Sequence, residues 1–262
     1  MIDRERLTSH LHREEDRAVL GHILDKVEIV LKRKSKELTN FLNPYECEIA
    51  SGVIKQISEI NYKLVGGYPD AERKRISIFP DFIFPDHVEN PVSILKISGN
   101  FKFQAVSHRD FLGSILGTGI KREMIGDILV TDEFAQVIVA AELKDYIILN
   151  LEKVHEGPVE IEEISSEELV IPHSRIKEIK ATVPSMRLDA VASAGFGDSR
   201  SRISREIQSE KVRVNYQPVN DPSVRVEVGD VISIRGRGRI KVAEINGVSN
   251  RDRIKLLIHR LI

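Results

Sequence analysis

Apolar residues near the N-terminus recur at the three- and four-residue spacing of a helix that buries one face. This spacing predicts an amphipathic helix over residues 12–34. The apolar positions of its buried face are Val19, Leu20, Ile23, Leu24, Val27, Val30 and Leu31. A second helix is predicted to start at Pro44 and to end near residue 57, because Asn43 can cap it and Glu46 can complete a capping box.

Two short apolar runs follow these helices. Residues 62–65 and 75–79 have the composition of strands, and the turn at Gly66 and Gly67 separates them. Prolines at positions 80, 85 and 91 then interrupt regular structure. The pattern therefore predicts an N-terminal α/β domain over residues 1–85.

The next part of the chain alternates between strand and helix patterns. Strands are expected at residues 92–98, 101–106, 128–131, 135–139 and 159–164. Helices are expected from Ser107 to about residue 116, before Gly117 and Gly119, and over residues 141–152. The order strand, helix, strand, strand, helix, strand is typical of a ferredoxin-like or RRM-like domain, which we place at residues 86–178.

An RRM that reads RNA stacks bases on aromatic side chains of its third strand. Here residues 135–139 contain none, and only Phe134 lies at the edge of the strand. Six glutamates follow between residues 156 and 168, which favours contact with solvent or protein over contact with RNA. The pattern predicts an RRM-shaped domain that does not read bases with its sheet.

The last third of the chain has a different pattern, with two short helices before a group of strands. The first helix is expected over residues 187–194 and ends at Gly195; Asp198 or Ser199 caps the second. Ile203 and Ile207 form the buried stripe of the second helix, so Arg202 and Arg205 fall on its exposed face. Strands are expected at residues 212–214, 224–228 and 231–235.

Charge is distributed unevenly along the chain. The net charge is −1, but residues 181–262 hold 15 Lys and Arg against 9 Asp and Glu, a balance of +6. The remaining residues hold 24 against 31, a balance of −7. An acidic body with a basic end is expected where one domain faces a polyanion. We therefore predict an α+β protein whose C-terminal domain, residues 181–262, binds RNA.

Several other classes of protein are not expected. Cys47 is the single cysteine and no Cys/His cluster accompanies it, so neither disulfides nor a metal site is predicted. No apolar run is long enough for a membrane helix and no signal peptide precedes the first helix, which favours the cytoplasm. No catalytic or cofactor-binding motif is complete, so no cofactor is expected. The His108-Arg109-Asp110 segment lacks the Asn of a kinase catalytic loop, and the glycines at 113, 117 and 119 do not have the spacing of a phosphate-binding loop.

Basic residues cluster in three places in the predicted RNA-binding domain. Arg187, Arg200, Arg202 and Arg205 lie on the two helices, and Lys211 and Arg213 flank the first strand. The segment Arg235-Gly236-Arg237-Gly238-Arg239 puts three arginines on a loop, where glycine lets a phosphate approach the backbone. Outside this domain, Lys121 and Arg122 could contact a phosphate or could be solvated loop charges.

Four short segments of the last third carry a family resemblance. They are Arg187-Leu188-Asp189, Ser199-Arg200, Lys211-Val212-Arg213-Val214-Asn215 and Val228-Gly229-Asp230. In this order they resemble the S-four RNA-binding domain, named for small-subunit ribosomal protein four. The resemblance implies that two helices and a curved sheet present a basic surface to structured RNA. The implied contact residues are Arg187, Arg200, Arg202, Arg205, Lys211, Arg213, Asn215, Arg235, Arg237 and Arg239.

Three more segments extend the resemblance over nearly the whole chain. Asn40–Pro44, Ser107–Gly113 and Gly119–Ile128 resemble parts of the YlmH family of bacterial proteins. We expect no enzymatic activity, because apart from Arg187-Leu188-Asp189 the sequence has no group of residues with the spacing of a catalytic site. The family resemblance implies a cytoplasmic factor. It binds the rRNA of the large ribosomal subunit and peptidyl-tRNA, and it assists rescue of stalled nascent chains, which is ribosome-associated quality control.

Two other functions are compatible with the sequence. S-four domains also occur in pseudouridine synthases, whose catalytic aspartate sits in an Arg-Leu-Asp sequence like Arg187-Leu188-Asp189. However, Ala192 and Ser193 replace the continuation of that motif, and no large catalytic domain follows. Asp189 is therefore expected to orient or cap, not to catalyse. The acidic residues 1–180 could alternatively dock a protein partner in an adaptor linked to cell division.

Overall fold

The chain forms two compact units in a computed structural model. The units are Met1–Pro172 and His173–Ile262. The structure describes residues 2–9, 11, 13–101, 106–172, 176–249 and 252–261. The division into three domains stays a prediction, because the first compact unit contains the predicted N-terminal domain and most of the predicted middle domain.

The first unit has five helices and eight strands in its described residues. The helices are α1 (Arg4–Thr8), α2 (Glu14–Arg33), α3 (Pro44–Ile54), α4 (His108–Gly117) and α5 (Lys144–Asn150). The strands are β1 (Glu37–Leu38), β2 (Ile60–Val65), β3 (Arg75–Pro80), β4 (Val92–Gly99), β5 (Ile125–Val130), β6 (Phe134–Ala140), β7 (Lys153–Val154) and β8 (Gly157–Ile164).

The N-terminal part of this unit packs helices against a small antiparallel sheet. The sheet has the order β1-β3-β2, and every residue of β3 is buried. Helix α2 turns its predicted apolar stripe into the same core. The predicted capping box of α3 is present, since Asn43 and Glu46 each accept the other's backbone N–H, at 3.0 and 2.8 Å. The box satisfies two donors that the first turn otherwise leaves unpaired.

The second sheet of the unit is antiparallel and has the order β5-β6-β4-β8-β7. Helices α4 and α5 cover one face, where Phe111, Ile115 and Ile147 pack against Leu95 and Val137. Ser107 begins α4 as predicted, with Asp110 completing a capping box. The helix predicted over residues 141–152 is shorter, because its first turn is a 3-10 turn. The strand predicted at residues 101–106 lies largely outside the described residues.

The other face of this sheet is covered by the rest of the unit. Gln136 in β6 is fully buried, donates to Val170 O at 2.6 Å and accepts from Val170 N at 2.8 Å. Ile138, also in β6, is fully buried, and a Cβ at Gly67 would lie 3.0 Å from its side chain. Phe41 joins the same apolar cluster. The part of this face around Gln136 and Ile138 is therefore closed within the unit. Beside it Lys96 and Glu162 form an ion pair and stay partly exposed, and Lys96 Nζ lies 5.4 Å from the centre of the Phe134 ring.

Asp127 ties the two sheets of the first unit together. Its carboxylate accepts hydrogen bonds from Tyr68 Oη at 2.8 Å and from the backbone N–H groups of Glu72 and Arg73 at 2.7 and 3.0 Å. The preceding Gly126 leaves no room for a side chain, since a Cβ would lie 2.7 Å from the Phe41 ring. The Gly-Asp pair thus has a packing role in β5.

The second unit packs two helices on one face of a six-stranded sheet. Its elements are β9 (Ile176–Val183), α6 (Leu188–Phe196), α7 (Arg200–Gln208), β10 (Val212–Val214), β11 (Gln217–Pro218), β12 (Val231–Ile234), β13 (Gly238–Val248) and β14 (Ile254–Leu261). The sheet is antiparallel with the order β11-β10-β12-β13-β14-β9. Its core joins both helices to β10, β12, β13 and β14.

Two predictions for this unit were wrong. Residues 224–228 form no strand, because the segment makes only an isolated bridge between Arg225 and Arg187. Val226 is nevertheless buried and donates its N–H to Met186 O at 2.8 Å. Helix α6 does not end at Gly195 but continues to Phe196, and Gly197, whose positive φ is 67°, forms the left-handed cap.

Gly195 instead makes room for the sheet beneath α6. A Cβ there would collide with the Ile240 side chain and lie 3.3 Å from Ile258 Cγ2. We expect Gly195→Ala to lower the free energy of unfolding by about 1–3 kcal/mol, although alanine favours helix by up to about 1 kcal/mol. Gly52→Ala in α3 is the matched control. A Cβ at Gly52 meets nothing within 4 Å, so this substitution should raise the free energy of unfolding. Urea titration of both variants checks this, and equal stabilisation would contradict it.

Among the described residues, no helix combines the length and the apolar character needed to cross a bilayer.

Candidate nucleic-acid interface

Helix α7 presents a basic face, as predicted. Ser199 caps the helix by accepting the Arg202 backbone N–H, and Ile203 and Ile207 are fully buried. Arg202 and Arg205 lie on the opposite, exposed side. Arg202 is 3.2 Å from Asp198 Oδ2, whereas the described part of the chain supplies no carboxylate partner for Arg205.

A shallow cleft connects this face with the start of the sheet. It is lined by Arg202, Arg205, Glu206, Ser209 and Lys211. Three of these side chains are cationic, so the cleft offers charge and N–H donors to an anion. The Ser209 hydroxyl donates to Glu206 O at 3.1 Å, and the Glu206 carboxylate accepts from Arg237 at 3.0 Å. The structure thus brings Lys211 to the two helix arginines. A phosphate group fits this chemistry, because guanidinium and ammonium donors together match its oxygens.

Asp189 holds two further predicted residues, Arg187 and Arg200. The carboxylate is 5% exposed and accepts from Arg200 Nη2 at 2.8 Å and from Arg187 Nε at 3.3 Å. Burial alone would raise the pKa of the Asp189 carboxyl, but hydrogen bonds from Arg187 and Arg200 hold it below its usual value. Both arginine side chains stay about half exposed, at 43% and 47%. Asp189 therefore orients two cations at the surface.

Arg237 is enclosed by the domain itself. Its guanidinium donates to Glu206 Oε2 at 3.0 Å and to Asp198 Oδ2 at 2.9 Å, and it lies 5.5 Å from the centre of the Phe196 ring. Only 22% of the side chain is exposed. Arg237 thus ties the loop between β12 and β13 to α7, and its neighbours Arg235 and Arg239 point elsewhere.

Two of the remaining predicted arginines, Arg213 and Arg239, lie on the sheet face opposite the helices, whereas Arg235 is exposed in the turn after β12. Val212 is buried in the core, so the adjacent Arg213 is exposed on the other side. Arg213 pairs with Ser233, which pairs with Arg239 on the next strand. The Arg239 guanidinium lies 5.5 Å from the centre of the Tyr216 ring. The predicted residues therefore form two groups on opposite faces.

Asn215 has a structural contact in place of a free amide. It donates to Asp230 Oδ1 at 2.7 Å and accepts the Val231 backbone N–H at 2.9 Å. These bonds hold the turn after β10, where Asn215 has a positive φ of 48°. The side chain positions the turn that carries Tyr216.

The two predicted phosphate contacts in the first unit differ from each other. Lys121 is exposed, whereas Arg122 is partly buried and donates to Ile125 O. Arg73 donates to the same carbonyl at 3.1 Å. Burial, with the nearby charge of Arg73, lowers the pKa of Arg122 to about 10. Arg122 thus fixes the turn before β5, and only Lys121 faces solvent.

Sequence reasoning named Asp198 only as a candidate cap, and it did not identify Tyr216 or Glu206 as residues of the site. Tyr216 is an aromatic residue in a turn between basic residues, and that pattern could have indicated it. The two carboxylates contact Arg237 only because the loop folds back on α7, which no local pattern reveals. Within the ranges that the structure describes, no group of three His, Cys, Asp or Glu residues is arranged to hold a metal ion.

Comparison with known proteins identifies the class of the second unit. Residues 186–232 match the family model described as "S4 domain", so the two helices and the basic surface belong to an S-four domain. Over 71 residues the chain is 38% identical to "Small ribosomal subunit protein uS4" of Leptothrix cholodnii, which covers 27% of this chain and 34% of that protein.

The rest of the chain identifies the family. Residues 15–91 match the model "YlmH, N-terminal", and residues 85–168 match "Putative RNA-binding domain in YlmH". The chain is 34% identical over 248 residues to "Ribosome-associated protein quality control protein P2" of Bacillus subtilis, covering 95% of this chain and 96% of that protein. The chain belongs to the YlmH family, which confirms the resemblance predicted from its sequence.

A solved structure resembles the described fold. It is "Cell division protein ylmH from Streptococcus pneumoniae", with a TM-score of 0.53 and 26% sequence identity. The match covers 60% of this chain and 96% of that one. The names of these relatives describe ribosome-associated and cell-division proteins, and none of them names an enzyme.

Proposed function

We propose that this protein is a cytoplasmic RNA-binding factor that associates with the rRNA of the large ribosomal subunit and with peptidyl-tRNA during rescue of stalled nascent chains. The observation that carries the proposal is an S-four domain with a basic α7 face, in a chain similar over 95% of its length to a ribosome-associated quality control protein. Electrostatic contact with phosphates supplies most of the affinity of such a surface.

The α7 face is the primary RNA surface in this proposal. Arg202, Arg205 and Lys211 bind phosphates, while Arg187 and Arg200 are held in place by Asp189. Arg213 and Arg239 add a second basic surface on the opposite side of the sheet, with Tyr216 beside it and Arg235 in the turn after β12. Arg237 and Asn215 act indirectly, because their side chains are used inside the domain.

The middle of the chain is an RRM-like domain in this proposal. Without the two-residue β7, its four strands follow one another in space as second, third, first and fourth in chain order, which the ferredoxin-like arrangement shares. Phe41, Gly67 and Val170 cover its sheet face around Gln136 and Ile138, which supports our prediction that it does not read bases there. Lys121 remains a candidate phosphate contact at its surface.

The contacts of Asp189 support an RNA-binding factor in preference to an RNA-modifying enzyme. Both oxygens of the Asp189 carboxylate accept hydrogen bonds from Arg187, and Oδ2 also accepts from Arg200. A carboxylate engaged in this way is committed to holding arginines, whereas a nucleophile needs a free oxygen at the reacting atom.

The α7 face is tested by Arg202→Ala combined with Arg205→Ala. We expect weaker binding to large subunits and to an rRNA hairpin, with a log–log salt slope shallower by about 0.7–0.9 for each phosphate that the variant no longer neutralises. Stability should change by about 0.5 kcal/mol or less per site. The control combines Arg33→Ala with Lys55→Ala on the first unit. If both pairs of substitutions leave the affinity and the salt slope unchanged, the α7 face is not the RNA-binding surface.

A further inference from the structure

The loop that follows β3 exposes two aromatic side chains to solvent. Phe82 is 65% exposed and Phe84 is 70% exposed. By contrast Phe79, three residues earlier, is fully buried in the core. Exposed aromatic residues placed two positions apart offer a large apolar area on one loop. Side chains of this type dominate the energy of protein–protein contacts when a partner buries them.

The loop is held in a defined conformation by hydrogen bonds from outside it. Lys36 Nζ donates to His87 O at 3.1 Å, and Lys63 Nζ donates to Pro85 O at 3.4 Å. The ring of Phe84 packs edge-on against His87 with 6.0 Å between centroids. A loop fixed in this way loses little conformational entropy on binding, which favours recognition.

The charges around the two phenylalanines select the kind of partner. Between residues 76 and 95 the chain has three carboxylates, Asp81, Asp86 and Glu89, and no Lys or Arg. All three carboxylates are exposed. The ammonium groups of Lys36 and Lys63 are directed at carbonyls of the loop. Aromatic platforms that stack nucleic-acid bases lie in positively charged grooves, so this acidic surrounding disfavours RNA and favours a basic surface.

We propose that the loop of residues 81–87 docks the protein onto a basic protein surface that has an apolar pocket. The inference rests on the proposed function, which brings the chain to the large ribosomal subunit. Proteins that coat a polyanion are rich in Lys and Arg. A protein of that subunit therefore supplies the complementary charge. Phe82 and Phe84 fill the pocket, and Asp81 and Asp86 contact its cationic rim.

The test compares binding of the full-length protein to intact large subunits and to protein-free large-subunit rRNA. We expect Phe82→Ser combined with Phe84→Ser to weaken binding to intact subunits at least about tenfold and to leave binding to protein-free rRNA unchanged. Asp81→Asn with Asp86→Asn should weaken subunit binding in the same selective way. Leu149→Ser is the control, because Leu149 is 77% exposed on α5 of the same unit.

Each other outcome overturns the inference. Equal loss on subunits and on protein-free rRNA would show that the phenylalanines stack on bases. Unchanged binding to both would show that the loop docks nothing there. If the wild type is a dimer in sedimentation equilibrium and the double phenylalanine variant is a monomer with unchanged subunit binding, the loop contacts a second copy of the chain instead. If the wild type binds neither subunits nor rRNA, the proposed function fails as well, and the wild-type measurement alone reveals this.

Discussion

Replacing Arg75 by methionine is expected to lower the free energy of unfolding of the first unit by about 3 kcal/mol. Arg75 lies in β3, is 2% exposed, and donates to Thr39 O at 2.7 Å and to Pro91 O at 2.8 Å. It also donates to both oxygens of Glu142, at 2.7 and 2.8 Å. Methionine fills a similar volume but leaves Thr39 O without the Arg75 donor and Pro91 O with only the Ala141 N–H at 3.1 Å, so the loss is one of hydrogen bonds.

Glu142→Gln is the matched variant for this pair. Glutamine keeps one acceptor oxygen for the Arg75 guanidinium, and the Glu142 side chain is 47% exposed, so we expect a smaller loss of about 1 kcal/mol. Urea titrations followed by circular dichroism measure both variants, with hydrogen exchange locating the loss in β3. A methionine variant as stable as the wild type would show that the carbonyls find other donors.

The pH dependence of the same pair has a definite sign. Burial alone would raise the pKa of the Glu142 carboxyl, but hydrogen bonds from Arg75 hold it below its usual value. The carboxylate therefore contributes stability that is present above its unfolded pKa and is lost as pH falls through the lowered folded pKa. The difference between the wild type and Glu142→Gln should shrink below about pH 4.

Local sequence patterns predicted the elements whose ends and faces depend on neighbouring residues. Helices α2, α3, α4 and α7 appear where periodicity and caps placed them. The caps of α3, α4 and α7 form between residues three apart, such as Asn43 and Glu46, so the sequence contains the whole interaction. The apolar stripe Ile203 and Ile207 likewise determines which face of α7 is exposed.

Elements that depend on distant partners could not be predicted in this way. Residues 224–228 have the valine-rich pattern of a strand, but the segment makes only an isolated bridge, and Val226 donates its N–H to Met186 O instead. Gly195 looks like a helix terminator, yet the approach of Ile240 explains it. Strand β9 forms because β14 pairs with it along its whole length, and nothing near residues 176–183 specifies that partner.

The candidate site shows the same division. The sequence identified which residues are basic but could not tell which of them stay available. Arg205 and Arg237 look alike in sequence, and only the return of the loop to α7 gives Arg237 two carboxylates. A charged motif therefore predicts a surface better than it predicts each contact on that surface.

Asp189→Asn is expected to weaken RNA binding about tenfold, and the sign of this effect is informative. Asparagine keeps one acceptor oxygen, but its amide N–H₂ faces the guanidinium donors, so Arg187 and Arg200 cannot both be held. The half-exposed arginines then relax into solvent, and stability should fall by only about 1 kcal/mol because water screens them.

Glu244→Gln is the charge-matched control, since Glu244 is exposed on β13 of the same unit. Each substitution removes one negative charge, and charge alone would strengthen binding to RNA in both variants. If Asp189 orients the arginines, Asp189→Asn should weaken binding to RNA, whereas Glu244→Gln should not. In a background with Arg187→Ala and Arg200→Ala there is nothing left to orient, so Asp189→Asn should only strengthen binding slightly, as Glu244→Gln does. Titration of an rRNA hairpin with each variant decides between the two effects, while mass mapping of rRNA and tRNA from cells that carry Asp189→Asn tests catalysis. A modified nucleotide that disappears in those cells would make Asp189 the catalytic residue of an RNA-modifying enzyme and would contradict a purely orienting role.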